Sequence, residues 1–298
     1  MTPDNALAAL LDWYLAVGVD EAIGDVAVDR FRVPDPLPPP SMAEASRPAP
    51  AAASGPQQVR HLPARQVLAR PAAQSPTDAP ESEVRHEGAL KAARTIAAEA
   101  GTLEALEAAI EAFDACPLKA TANRTVIRDG VLGAPVLVVG EAPGQEEDRT
   151  GKPFVGPAGQ MLDRMLGAIG LSRSENVLIT NIIFWRPPAN RKPTPQEVAL
   201  CVPFVRRFIE LSQPKLVLLA GATAAQALLD RTDGISRLRG QWFEQSTESD
   251  RPIIPTLATY HPSYLLRSPA QKRDAWKDLM MFQERLESLG ILIPGREN

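Results

Sequence analysis

Residues 140–156 read Gly-Glu-Ala-Pro-Gly-Gln-Glu-Glu-Asp-Arg-Thr-Gly-Lys-Pro-Phe-Val-Gly and follow directly on the apolar run Val136–Val139. A glycine-hinged turn loaded with carboxylates at the carboxyl end of a buried parallel strand sits where open α/β sheets build their ligand sites. No packing requirement calls for three consecutive acids, Glu146, Glu147 and Asp148, beside a lone Phe154, so the loop is read as chemistry. Two further loops supply complementary groups. One is Thr180-Asn181 continuing into Trp185-Arg-Pro-Pro-Ala-Asn-Arg-Lys-Pro193; the other is Tyr260-His-Pro-Ser-Tyr-Leu-Leu-Arg267. A carboxamide such as Asn181 can pair with the edge of a nucleobase, and Phe154 can stack on its face. Neutral His261 can donate to an oxygen on which negative charge develops. The set suits a base flipped out of its stack.

Each group also has a plainer role open to it. Glu146–Asp148 can start a solvated helix, Asn181 can cap a turn, and His261 can be a satisfied core histidine. The turn at Gly140 is not the spaced glycine fingerprint of dinucleotide folds, and no acid ends the second strand, so a nucleotide-binding Rossmann domain is excluded. What favours the functional reading is convergence, which depends on the elements between the loops.

Those elements alternate. Strand 136–139 precedes the acidic loop, helix 158–169 follows it, and strand 177–183 completes a crossover of suitable length. Helix 196–211, strand 216–219, helix 222–229, strand 253–259 and a final helix 270–289 continue the pattern, after one or two helices over 90–113 broken at Gly101-Thr102. Four strands separated by helices imply an α/β fold, three layers α/β/α around a central, mainly parallel four-stranded sheet, spanning residues 82–295. Ahead of it, residues 33–80 hold 12 prolines among mostly Ala, Ser and Gln and read as a disordered linker. Residues 1–32 carry Leu7, Leu10, Leu11, Tyr14 and Leu15 at helical spacing after Asp4. This amphipathic helix either docks on the core or serves a protein partner.

The chain of 298 residues has 32 basic and 36 acidic side chains, net −4, which argues against a generally basic nucleic-acid coat but leaves a local patch open. Arg186, Arg191, Lys192, Arg206, Arg207, Arg267, Lys272 and Arg273 are candidate phosphate contacts, with a solvated helix face the better reading for Arg206 and Arg207. Two cysteines, Cys116 and Cys201, make neither a disulfide framework nor a four-ligand metal site. With no signal peptide and no membrane-length apolar run, a soluble, cytoplasmic protein is expected, and a monomer.

Gly140-Glu-Ala-Pro-Gly144, Gly151-Lys-Pro-Phe-Val-Gly-Pro-Ala-Gly159, Thr180-Asn181, Arg186-Pro-Pro-Ala-Asn-Arg191 and His261-Pro-Ser-Tyr-Leu-Leu-Arg267 together resemble the family 4 uracil-DNA glycosylases, over about residues 113–276. The resemblance implies an enzyme of base excision repair that flips uracil out of single- or double-stranded DNA and hydrolyses its glycosidic bond, leaving an abasic site. It implies that Glu141, with Glu147 as a second candidate, organises the water and the cationic sugar, and that His261 stabilises the departing base. Ala142, Phe154 and Asn181 would bind the base. Arg186, Arg191, Ser263 and Arg267 would contact DNA, with Leu265 or Leu266 filling the vacated stack. Members of the family hold a four-iron cluster on four cysteines, and the corresponding positions here are Phe113, Cys116, Trp185 and Cys201. Two ligands are replaced by large apolar residues, so the expectation from sequence is no metal and no cofactor. Two other readings stand beside this one: a non-catalytic damage-binding or replication-associated module of the same fold, and a glycosylase of wider range acting on hypoxanthine or mismatched thymine.

Overall fold

The computed structural model describes residues 79–245 and 253–291. The proposed N-terminal helix and linker lie outside them, except Ala79 and Pro80, which already open the first helix. In chain order the described helices are α1 (Ala79–Glu99), α2 (Leu103–Ala112), α3 (Gln145–Thr150), α4 (Pro157–Ala168), α5 (Pro195–Ser212), α6 (Ala222–Leu229), α7 (Ile235–Leu238), α8 (Pro262–Arg267) and α9 (Lys272–Ser288). The strands are β1 (Arg128–Gly130), β2 (Val136–Gly140), β3 (Val177–Asn181), β4 (Leu216–Ala220), β5 (Trp242–Gln245) and β6 (Ile254–Thr259).

They form one sheet in the order β1-β3-β2-β4-β6-β5. The central four are parallel, as their apolar runs require: every residue of β2, β3 and β4 is buried, which only a strand covered on both faces achieves. β1 and β5 add antiparallel edges that the alternation of elements did not reveal. Three partly buried residues, Arg128, Asp129 and Gly130, carry no hydrophobic period to detect.

Side chains leave the sheet alternately toward two cores. Leu137, Val139, Val217 and Leu219 face α1, α2, α5 and α6, whose Ala97, Ile110, Phe204 and Ala225 complete that layer. Val136, Val138, Leu216 and Leu218 face α4, α8 and α9 through Leu166, Leu265 and Phe282. The three-layer arrangement follows. Strand β3 stops at Asn181, two residues short of the expected end. Beyond it the Ile182 and Ile183 N–H groups donate to the Gly140 and Glu141 carbonyls, both at 3.0 Å, so the chain bends over the end of β2. Among the described residues no helix is long and apolar enough to cross a membrane.

Candidate active site

Parallel register brings the loops together. Gly140 pairs with Asn181 and Ala220 with Thr259, so the residues that follow each strand, Glu141, Gly221 and His261, emerge at one edge of the sheet. From β2 the chain steps outward to β3, then returns to the other side of β2 as β4. The crevice between β2 and β4 is therefore the switch point at which such sheets take ligands.

Asn181 and Phe154 meet there. A Cβ placed on Gly140 would lie 2.4 Å from Asn181 Oδ1 and 2.4 Å from the edge of the Phe154 ring, so glycine keeps open the space between amide and ring. Asn181 is 1% exposed, and its Oδ1 has no hydrogen-bond partner among the described residues. A buried acceptor left unpaired costs roughly 1–3 kcal/mol and points to a missing donor. Ala142 is half-buried in the same turn.

Phe154 is held in a backbone conformation that aromatic residues avoid, φ 54°, at a cost of about 1–2 kcal/mol. Two clamps maintain it. On the carbonyl side, Arg173 donates to Pro153 O at 3.1 Å and Phe154 O at 2.7 Å while pairing with Asp129 and Asp163. On the amide side, Glu147 Oε1 accepts from the Val155 and Gly156 N–H groups, both at 2.9 Å. Beneath the turn, a Cβ on Gly159 would fall 1.8 Å from the Phe154 carbonyl oxygen, a space only glycine leaves.

The acids of the opening loop thus divide. Glu147 Oε2 also accepts the N-cap Gly144 N–H at 3.0 Å, the glutamate half of a capping box, so both its oxygens serve the main chain. Asp148 accepts from the Asn123 and Arg124 N–H groups at 2.8 and 3.2 Å and from the Asn123 carboxamide at 2.6 Å. Glu146 faces outward and pairs with Arg149 at 2.9 Å. Packing does ask for Glu147 and Asp148, contrary to the first reading of the loop, and an N3 glutamate behind a glycine N-cap was the available signal. Glu141 alone has its carboxylate at the crevice, where Oε2 accepts from Thr223 Oγ1 at the start of α6. Neither Thr223 nor Arg173 stood out in sequence.

His261 caps α8, and its Nδ1 accepts the Ser263 N–H at 3.2 Å and lies 2.8 Å from Ser263 Oγ. A nitrogen that accepts a backbone N–H carries no proton, so the neutral ring bears its hydrogen on Nε2. Burial lowers the pKa of His261 below the ordinary histidine value. Arg267 adds to the lowering, while Glu141 and Glu147 oppose it. The ring stacks on Phe154 with centroids 5.6 Å apart and 30° between planes. In α8 the two leucines separate: Leu265 is fully buried in the core, and Leu266 is 41% exposed, next to exposed Arg267.

Arg186 bonds Asn190 at 2.7 Å. Arg191 makes a bidentate pair with buried Glu197 at 2.6 and 2.9 Å, which anchors the capping box of α5. Arg206 and Arg207 pair with Asp230 and Glu210, and Lys192, Lys272 and Arg273 are exposed. A hollow of about 1230 Å³ between α1, α5 and α6 shares only Thr223 with the crevice, so size does not mark the reactive place. Convergent polar groups do.

Away from the crevice, Cys116 and Cys201 are buried as free thiols. The hydrogen bond with Cys116 and then burial push the Cys201 thiol well up. Phe113 packs edge-on against Phe204 with centroids 5.0 Å apart, and Trp185 donates Nε1–H to Thr125 Oγ1 at 3.2 Å. Both aromatic side chains are buried, and among the described residues no group of three or more His, Cys, Asp or Glu is placed to hold a metal ion. Two thiols do not supply the four thiolates of a four-iron cluster, so these residues do not fit that group as its usual ligand set, and no step below runs through it.

The family model for the uracil DNA glycosylase superfamily matches residues 127–281, more than half of the chain. A type-4 uracil-DNA glycosylase of Pyrobaculum aerophilum is 35% identical over 184 residues, covering 60% of this chain and 92% of its own. Those of Thermotoga maritima and Archaeoglobus fulgidus are 39% and 38% identical over 167 and 173 residues, with 84% and 85% of their lengths covered. These relatives contradict the expectation that the chain carries no cofactor, since type-4 enzymes are the iron–sulfur family. With the fold, the crevice and these likenesses in agreement, the chain belongs to the uracil DNA glycosylase superfamily and is similar to its type-4 members.

Proposed function

We propose that the chain is a monofunctional uracil-DNA glycosylase of base excision repair, working as a monomer through the domain at 82–295 on uracil-containing DNA. The observation that carries the base assignment is the unpaired Asn181 Oδ1 beside the Phe154 ring. An acceptor there suits the N3–H of uracil, while the adjoining amide N–H suits O4. Cytosine presents an acceptor at N3 and a donor at N4, so the same carboxamide repels it.

Breaking the glycosidic bond makes the sugar oxocarbenium-like and sends the base away as an anion. Glu141 stabilises the first and directs the water; the His261 Nε2–H donates to the oxygen of the second. Ser263, by fixing the Nδ1 side, keeps that proton on Nε2. Glu147 acts on the base indirectly through the Phe154 turn. Arg186, Lys192 and Arg267 are the phosphate contacts, and Arg191 contributes with whatever freedom its pair with Glu197 leaves.

The test is strand scission by alkali after incubation with oligonucleotides carrying uracil, hypoxanthine or a thymine mismatch. Abasic product from uracil is expected. Its absence from all three substrates would favour the non-catalytic module, and product from hypoxanthine alone would displace uracil as the substrate.

Two predictions arise here. Leu266→Ala should slow excision from duplex DNA and spare single strands, because only the duplex needs its vacated stack filled, and it should leave stability unchanged. Leu265→Ala should instead destabilise the fold by roughly 2–5 kcal/mol through a core cavity. Melting curves and rates on both substrates decide; a duplex-specific defect in Leu265→Ala at full stability would reverse the assignment.

The second concerns pH. The folded-state pKa of His261 is depressed, so the neutral ring persists in the native protein through about pH 6.5, where a free histidine is half protonated. On acidification the unfolded chain takes up its proton first, so this group's stabilising contribution falls as pH drops through 6.5 toward the lowered folded value. The excision rate should therefore stay flat through about pH 6.5 and fall only below it, when protonated Nδ1 confronts the Ser263 N–H. A pH–rate profile with a limb at or above that value, abolished in His261→Asn, would refute this.

A further inference from the structure

Glu141 is not held by its own loop. Its Oε2 accepts a hydrogen bond from Thr223, 82 residues further along the chain and on the other side of the β2–β4 crevice. Thr223 is 5% exposed and is the second residue of α6. Its hydroxyl gives its single proton to the carboxylate. The residue that opens the helix adds a second contact. Gly221 has φ 99°, and a Cβ on it would come 2.9 Å from His261 Cβ and 3.3 Å from Cδ2, while its N–H donates to Thr259 O at 2.9 Å. One short junction thus abuts both groups assigned to the two developing charges.

We propose that Thr223 is a positioning residue for glycosidic cleavage: its hydroxyl holds one oxygen of Glu141 so that the other faces the sugar of a base seated against Asn181 and Phe154. This rests on the glycosylase reading above. A glutamate has three rotatable side-chain bonds, and a carboxylate left to sample rotamers must be reoriented in each reaction. Fixing it beforehand is what makes a charge effective against a transition state.

The test uses the full chain in single-turnover excision from a uracil-containing single-stranded oligonucleotide. Thr223→Val keeps the shape and loses the hydroxyl, Thr223→Ala is a second hydroxyl-free variant, and Thr223→Ser keeps the donor. Both hydroxyl-free variants should slow the chemical step by roughly tenfold to a hundredfold, the scale of one hydrogen bond to a charged group, with oligonucleotide affinity unchanged. Thr223→Ser should restore the rate to within about threefold of wild type. In a Glu141→Gln background the loss should shrink markedly, because the hydroxyl no longer has a charge to orient, whereas a packing defect would persist undiminished. Wild-type rates in both hydroxyl-free variants, failure of serine to restore, or an undiminished loss beside Glu141→Gln would each overturn the proposal. An inactive wild-type protein would overturn the glycosylase reading instead.

Discussion

Glu141→Gln and His261→Ala should each abolish most turnover while leaving affinity for uracil-containing DNA nearly intact. The size follows from where charge develops. Opposite unit charges about 4 Å apart attract by about 4 kcal/mol at an effective dielectric near 20, so neutralising Glu141 beside an oxocarbenium-like sugar should cost roughly a thousandfold in rate. Losing the Nε2–H donor should cost roughly a hundredfold to a thousandfold, as the loss of one oxyanion donor does. Neither charge exists in the ground-state complex, so binding should change little. Single-turnover rates set against equilibrium binding to the same oligonucleotide separate the two quantities. Parallel losses in rate and affinity would make these residues binding groups and return the non-catalytic module to consideration.

Glu147→Gln, six residues along the same loop, should behave in the opposite way. The carboxylate accepts three main-chain N–H groups, from Gly144, Val155 and Gly156, and a carboxamide would turn an NH₂ toward at least one of them. One stranded donor predicts a loss of roughly 1–3 kcal/mol, on the order of 5 °C in melting temperature. The Phe154 turn should relax with it, raising KM more than it lowers kcat. Thermal unfolding beside steady-state kinetics reads both effects. An unchanged melting temperature with a collapsed kcat would make Glu147 the carboxylate that holds the water.

That contrast shows what could be read in the sequence. The four parallel strands were legible because full burial leaves continuous apolar runs such as Val136–Val139 and Leu216–Leu219. The edge strands were not, because Arg128–Gly130 bury too little to impose a pattern. Asn181 and His261 could be singled out because each is an odd residue at a strand end, and Phe154 because it is a lone aromatic in the loop that follows β2. Thr223, on a helix, and Arg173, in a turn, are ordinary residues whose partners lie 82 and 19 positions away and are brought near only by the fold. The sequence also could not separate Leu265 from Leu266, since the choice depends on the phase of a helix only six residues long.

The two antiparallel edges have a consequence outside catalysis. A sheet that ended in its buried parallel strands would offer long apolar ladders to any neighbouring chain. Here the sheet ends instead in antiparallel strands, and β1 has only three residues, including Arg128 and Asp129. A short, charged border gives another strand little to zip onto. At its β1 border the sheet that aligns the candidate-site loops thus gives a second chain little to pair with, which bears on its colloidal behaviour at high concentration.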